Sequence, residues 1–271
     1  MTSSQSSPPR YSALQLAWLQ ELGIEKPWLP SEQSVAKKIT APTEVAPVEA
    51  APKRSGGAPS PRVVAPAATN PVSEAQIDTR ALAAQAPDLE SLAATVRACT
   101  ACGLCSERLQ AVPGEGIMQP AIMVIGEAPG ALEDREGRPF VDRPGLMLDN
   151  MLTAIQSSRT HNIFISNIVK CRPPGNRNPK PAELQTCKPY LLRQIELVRP
   201  YSILAVGRAA QSLLESQEPL EKLRQVTHGL KVAGQKIPLI VTNHPARLLN
   251  HPGEKAAAWQ DLQLLKTVSG L

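Results

Sequence analysis

Five cysteines are spread over 271 residues, and four of them fall into two pairs: Cys99-Thr-Ala-Cys102, then Cys171 with Cys187. Thiolates grouped in this way converge on one centre, the pattern of a metal ion or an iron–sulfur cluster. Cys105 extends the first pair into Cys99-x-x-Cys102-x-x-Cys105, a ferredoxin-like run. Spacing alone therefore leaves Cys105 in contention as a ligand. A structural zinc site is the competing reading of the same thiols.

Beside each pair stands a second feature that could do chemistry. Gly126-Glu-Ala-Pro-Gly130 follows a short apolar run, and its glycines permit a sharp turn with backbone N–H groups close to a ligand. It is not GxGxxG, and no Gly-Lys-Ser/Thr follows, so neither a dinucleotide site nor a phosphate-binding loop is supported. The carboxylates Glu127, Glu133 and Asp134 suggest water positioning or polar recognition; solvated surface charge is the plainer alternative. Phe140, one of two phenylalanines, lies in Gly137-Arg-Pro-Phe-Val141 and could stack on a flat heterocycle or simply fill the core. Asn167 and His244 each end an apolar run. An amide can present a donor and an acceptor together to a base edge, and a histidine can stabilise a developing anion. Lys170, Arg172 and Arg177 flank Cys171 among prolines, a stiff basic segment suited to backbone phosphates or to solvent.

The elements that must position these residues can be read from periodicity. Asp88 is placed as the N-cap of a helix with Leu89, Leu92 and Val96 inward, leading into Cys99. Buried strands are expected at 121–125, 162–169, 203–206 and 239–242, with helices at 145–155, 182–198 (Pro181 at its start), after Gly207 through Leu214, and 255–268. Alternating strands and helices imply a three-layer α/β/α fold on a central, mostly parallel sheet. Ligand sites in such sheets lie beyond the carboxyl ends of the strands. Gly126–Gly130, Asn167–Cys171 and Asn243–Leu249 all fall there, although they are far apart in sequence.

Three segments are expected: residues 1–30 with a short amphipathic helix (Leu14, Trp18, Leu22), a Pro/Ala-rich disordered linker over 31–87, and a catalytic body over 88–271. The N-terminal helix could dock on a protein partner or on its own body. A hydrophobic fraction of 42% supports a sizeable core, and the formal charge of +5 suits a polyanion partner without requiring one. No run approaches the roughly 18 apolar residues of a membrane span, and Met1–Pro8 lacks a signal-peptide layout. A cytoplasmic monomer is expected, acting at a bacterial nucleoid.

Taken together, Cys99-Thr-Ala-Cys102-Gly-Leu, Gly126-Glu-Ala-Pro-Gly130, Gly137-Arg-Pro-Phe140, Asn167-Ile-Val-Lys-Cys-Arg-Pro-Pro174, Cys187 and His244-Pro245 with Leu248-Leu249 resemble the type-4 uracil-DNA glycosylases, which carry a [4Fe–4S] cluster. The resemblance covers about residues 88–268. It implies that Cys99, Cys102, Cys171 and Cys187 hold the cluster, whereas Cys105 matches no ligand of the family. It implies that Phe140 stacks on an extruded uracil, Asn167 reads its Watson–Crick edge, and His244 faces the carbonyl that gains charge. Glu127 would help place the water, and Glu133 would crowd the C5 side against thymine. Ala128 stands where some members of the superfamily have a water-activating Asp, and Ala246 where many relatives have Ser. The implied reaction is excision of uracil from single- or double-stranded DNA at the start of base excision repair. The competing reading is a non-catalytic iron–sulfur module that binds or senses DNA.

Overall fold

The structure, a computed structural model, describes residues 77–271. The amphipathic helix expected within 1–30, and the linker as far as residue 76, lie outside the described residues. The body starts earlier than residue 88. Helix α1 (Thr79–Gln85) is capped by Asp78, whose carboxylate accepts from the N–H groups of Arg80 and Ala81. Thr79 Oγ1 donates to the Thr186 carbonyl at 2.8 Å, and the Arg193 guanidinium donates to the Ala86 carbonyl. Residues 79–86 are thus a docked part of the body, and the expected linker ends before them.

Asp88 caps α2 (Leu89–Ala98), accepting from Ser91 N–H at 2.8 Å, and the helix stops at Cys99. The chain continues through β1 (Glu115–Gly116), β2 (Ile122–Gly126), α3 (Ala131–Glu136), α4 (Arg143–Thr153), β3 (Ile163–Asn167) and α5 (Pro181–Val198). After these come β4 (Ser202–Val206), α6 (Ala209–Leu214), α7 (Leu220–Leu223), β5 (His228–Val232), β6 (Gln235–Thr242), α8 (Pro245–Asn250) and α9 (Lys255–Ser269). The six strands form one sheet in the order β1-β3-β2-β4-β6-β5. The inner four are parallel, and β1 and β5 add on antiparallel at the two edges. The hairpin between β5 and β6 turns on Ala233 and Gly234, both at positive φ, as a two-residue turn matched to strand twist requires.

Alternate residues of the central strands feed two cores. Met123, Ile125, Ile203 and Ala205 pack with Leu191, Ile195 and Leu213 of α5 and α6. Ile122, Val124, Leu204 and Val206 pack on the opposite face with Leu148, Leu152, Leu248 and Leu262 of α4, α8 and α9. This is the near-continuous apolar strand pattern of a parallel sheet buried on both faces. From β2 the chain moves outward to β3, then returns past β2 to β4. That reversal opens a crevice at the carboxyl ends of β2 and β4. No helix among the described residues is long and apolar enough to cross a membrane.

Candidate active site and cysteine centre

At the carboxyl ends of the parallel strands lies a cleft of about 700 Å³. Glu127, Ala128, Phe140, Asn167, Arg208 and His244 are among its walls. Sequence reasoning placed all but Arg208 here; Arg208 follows a strand-end glycine, a signal that was available and unused.

Three of these side chains are held by missing atoms elsewhere. A Cβ on Gly126 would collide with Asn167 Oδ1 and lie 2.8 Å from the Phe140 ring. A Cβ on Gly207 would lie 2.8 Å from His244 Cβ. Glycine at these two strand ends is therefore what lets amide, phenyl and imidazole meet. The Phe140 and His244 ring centroids are 5.6 Å apart and tilted by 30°, within the favourable range for aromatic pairs.

Asn167 is buried, and its Oδ1 has no hydrogen-bond partner. An orphaned buried acceptor costs about 1–3 kcal/mol, so its retention in a cleft points to a ligand that supplies the donor. His244 caps α8: its Nδ1 accepts from Ala246 N–H at 3.2 Å. The remaining nitrogen, Nε2, therefore carries the proton of the neutral ring. Burial pushes His244 down to about 4, because a charged imidazolium is poorly solvated there. Glu254 braces this segment from both sides, accepting from Asn243 Nδ2 at 2.8 Å and from Arg247 at 2.7 Å. Burial raises the Glu127 carboxyl, partly offset by Arg208, whose Nε lies 3.5 Å away.

Other expected contributors have different placements. Glu133 accepts from Gly130 N–H at 3.1 Å and Val141 N–H at 3.2 Å, so it also ties the Phe140 loop to the start of α3. Asp134 turns away from the cleft, buried, accepting from the N–H groups of Leu109 and Gln110. Lys170 corrects the expectation of a phosphate contact. It is 1% exposed, and its ammonium donates to Ser166 Oγ, the Asn167 carbonyl and Gln194 Oε1 at 2.5–2.8 Å. Desolvation lowers it to about 7. Arg172 donates to Asn176 Oδ1, and Arg177 pairs bidentately with Glu183 at the start of α5.

The cysteines gather on the other side of the β3 exit. Cys99, Cys102, Cys105, Cys171 and Cys187 line one small cavity with Val96, Val169 and Tyr190. N–H donors already point at three sulfurs: Arg108 Nη1 to Cys171 at 2.8 Å, Lys170 N–H to Cys187 at 3.3 Å and Ala101 N–H to Cys99 at 3.5 Å. Burial raises the Cys102 and Cys171 thiols and pushes Cys187 up to about 12. The buried Tyr190 hydroxyl also faces Cys99. Donors aimed at sulfur fit thiolates whose charge a metal centre neutralises. Among the described residues, no three Cys, His, Asp or Glu side chains are grouped to hold a single metal ion. All five sulfurs reach this cavity, so geometry leaves Cys105 beside the family's four.

Comparison with known proteins agrees with this geometry. Residues 113–263 match the family model for the uracil DNA glycosylase superfamily. Among curated proteins, the type-4 uracil-DNA glycosylase of Saccharolobus solfataricus is 40% identical over 184 residues, 66% of this chain and 85% of that protein. The type-4 uracil-DNA glycosylase of Pyrobaculum aerophilum is 39% identical over 65% of this chain and 92% of its own length. That of Thermotoga maritima is 38% identical over 60% of this chain and 84% of its own length.

Proposed function

This chain belongs to the uracil DNA glycosylase superfamily and, within it, to the type-4 enzymes; from that premise we propose how its own residues excise uracil from DNA. The reaction is hydrolysis of the N-glycosidic bond, the first step in repair of a deaminated cytosine. A non-catalytic DNA-binding module is not favoured, since the relatives are glycosylases. The observation that carries the residue assignment is the unpartnered Asn167 Oδ1 beside Phe140 in the cleft.

A base within a duplex is out of reach, so the nucleotide is extruded at a cost of a few kcal/mol. Phe140 offers the stacking face that recovers part of it. Uracil presents an N3–H between two carbonyls. Asn167 Oδ1 accepts that N3–H and its Nδ2 donates to the adjacent O4; cytosine presents the reverse pattern and does not match the amide in this orientation. Glu133 lies on the cleft wall where thymine's methyl would be crowded.

As the glycosidic bond lengthens, negative charge gathers on uracil and positive charge on the sugar. The His244 Nε2–H donates to the uracil carbonyl that gains charge. Its ring stays neutral because burial disfavours the imidazolium, so the donor is present throughout the neutral pH range. One donor of this kind is worth about 3–4 kcal/mol in comparable sites. Glu127, paired with Arg208, orients water toward the sugar. Uracil leaves readily as an anion, so no carboxylate is needed at Ala128.

Cys99, Cys102, Cys171 and Cys187 hold a [4Fe–4S] cluster. Bound there, it supplies a cross-link rather than chemistry at the base. The partner is DNA, reached through Arg172, Arg177 and Arg208, in the cytoplasm at the chromosome. The test is a uracil-containing oligonucleotide: alkali-labile strand breaks at uracil, and none at thymine or cytosine, are expected. A strand that stays intact under alkali after exposure to the folded, iron-loaded protein overturns the assignment.

A further inference from the structure

Arg159 does not line the cleft, yet two of its four hydrogen bonds end on the loop that presents Phe140. It sits in the turn between α4 and β3. Nε donates to Asp149 Oδ1 at 2.7 Å, and Nη1 donates to Glu115 Oε1 and to the Pro139 carbonyl, both at 2.8 Å. Nη2 donates to the Phe140 carbonyl. The two carboxylates neutralise the guanidinium and fix its plane, and Arg159 is itself only 18% exposed.

The residue it holds is unusual. Phe140 has φ +52°, a left-handed conformation that a bulky residue adopts only where its surroundings enforce it. Its carbonyl faces Gly145, where a Cβ would strike the Phe140 carbonyl group. The same peptide unit is gripped from its other end, since Val141 N–H donates to Glu133 Oε1 at 3.2 Å. Both polar groups of the Phe140–Val141 peptide are thus taken by side chains of opposite charge. With the carbonyl turned toward Arg159, the phenyl ring points at Gly126 and His244.

We propose that Arg159 is a positioning residue for base recognition: it holds the Phe140–Val141 peptide in the orientation that keeps the Phe140 ring in the base slot. This rests on Phe140 being the stacking face. A lysine at 159 keeps the charge for Glu115 and Asp149 but cannot span both carbonyls, because it is a point donor and not a planar fork. Arg159→Lys therefore separates positioning from bulk stability.

The experiment measures inhibition by free uracil, single-turnover excision, affinity for a uracil-free duplex and thermal midpoint. It compares wild type, Arg159→Lys, Phe140→Ala and the double variant. Arg159→Lys is expected to keep its midpoint and duplex affinity and to weaken uracil inhibition about tenfold, equivalent to one charge-assisted hydrogen bond. In the Phe140→Ala background the same change should have no further effect on uracil inhibition. Unchanged inhibition in Arg159→Lys, while Phe140→Ala weakens it, overturns the role of Arg159 alone. An equal factor in both backgrounds also overturns it, since Arg159 would then act elsewhere. If Phe140→Ala leaves uracil inhibition intact, the stacking role of Phe140 falls first and this inference with it.

Discussion

The base cleft and the cysteine cavity leave β3 within five residues of each other, Asn167 serving one and Cys171 the other, yet they are finished in opposite ways. In the cleft, a buried acceptor is left open: Asn167 Oδ1 has no partner, and the imidazole keeps its Nε2 proton unspent. In the cavity, donors from Arg108, Lys170 and Ala101 already converge on sulfur. On the proposed reading, one site exchanges ligands and holds its binding groups in reserve, and the other closes once and stays closed. Lys170 is the join between them. Its ammonium holds the Asn167 carbonyl and its backbone N–H faces Cys187, so a basic residue next to Cys171 serves the interior and not DNA.

The largest effects should fall on the closed side. Cys171→Ala or Cys187→Ala is expected to yield protein without iron and with a sharply lowered unfolding midpoint, because the binding energy of such a centre is folding energy. Cys105→Ala should keep full iron content by chemical assay; loss of iron there would transfer a ligand role to Cys105 and redraw the cavity. On the open side, His244→Ala and Asn167→Ala should each lower single-turnover excision by about 10²–10³-fold with little change in duplex affinity, since leaving-group stabilisation acts only as charge develops. A loss of rate matched by an equal loss of binding would remove the contrast between the two sites.

A smaller effect concerns acid. The folded His244 pKa, about 4, lies below its unfolded value of 6.5, so the unfolded chain binds the proton more readily. The stability this represents is complete above pH 6.5 and is lost as pH falls toward 4, by up to about 3 kcal/mol. Equilibrium unfolding of His244→Gln across pH 7 to 4 should show a shallower decline than wild type. Glu127 runs the other way: its raised carboxyl favours the folded state at low pH, and that advantage fades as pH rises through its folded pKa. The mildest effect is electrostatic. Arg208 is 59% exposed, and Arg208→Ala should weaken duplex binding modestly and reduce the slope of log affinity against log salt by about one. Lys170→Ala should leave that slope alone and cost stability instead, which a salt titration beside a melt will separate.

Most of the sheet was legible from sequence because parallel strands buried on both faces read as short apolar runs ending in Gly, Asn or His. β2, β3, β4 and the end of β6 carry that mark, and their carboxyl ends carried the site residues with them. What escaped had weaker marks. Helix α1 is Thr-Arg-Ala-Leu-Ala-Ala-Gln, small residues that dock through Thr79 and Ala83 and resemble the Ala-rich stretch before them. β5 alternates exposure, and its turn places Ala233 at positive φ, where no Asn-Gly announces a hairpin. Lys170 was misjudged because charge density along the chain is silent on which side of the backbone each residue faces. Arg159 was invisible for a different reason: its partners, Glu115, Pro139, Phe140 and Asp149, come together only when four segments fold.

The sheet's margins carry a consequence for life in a crowded cell. A long exposed parallel strand would be a template for pairing with another chain, yet among the described residues each outer position is taken by an antiparallel addition. β1 offers two residues, and the backbone of Ile163 and Phe164 presses so closely on Gly116 that no side chain fits there. β5 is the longer margin, and it projects Lys231 outward, opposite Lys236 of β6. Shortness on one side and charge on the other are two ways of discouraging edge-to-edge association. The parallel strands whose ends line the cleft are thereby shielded from a neighbouring copy of the same sheet.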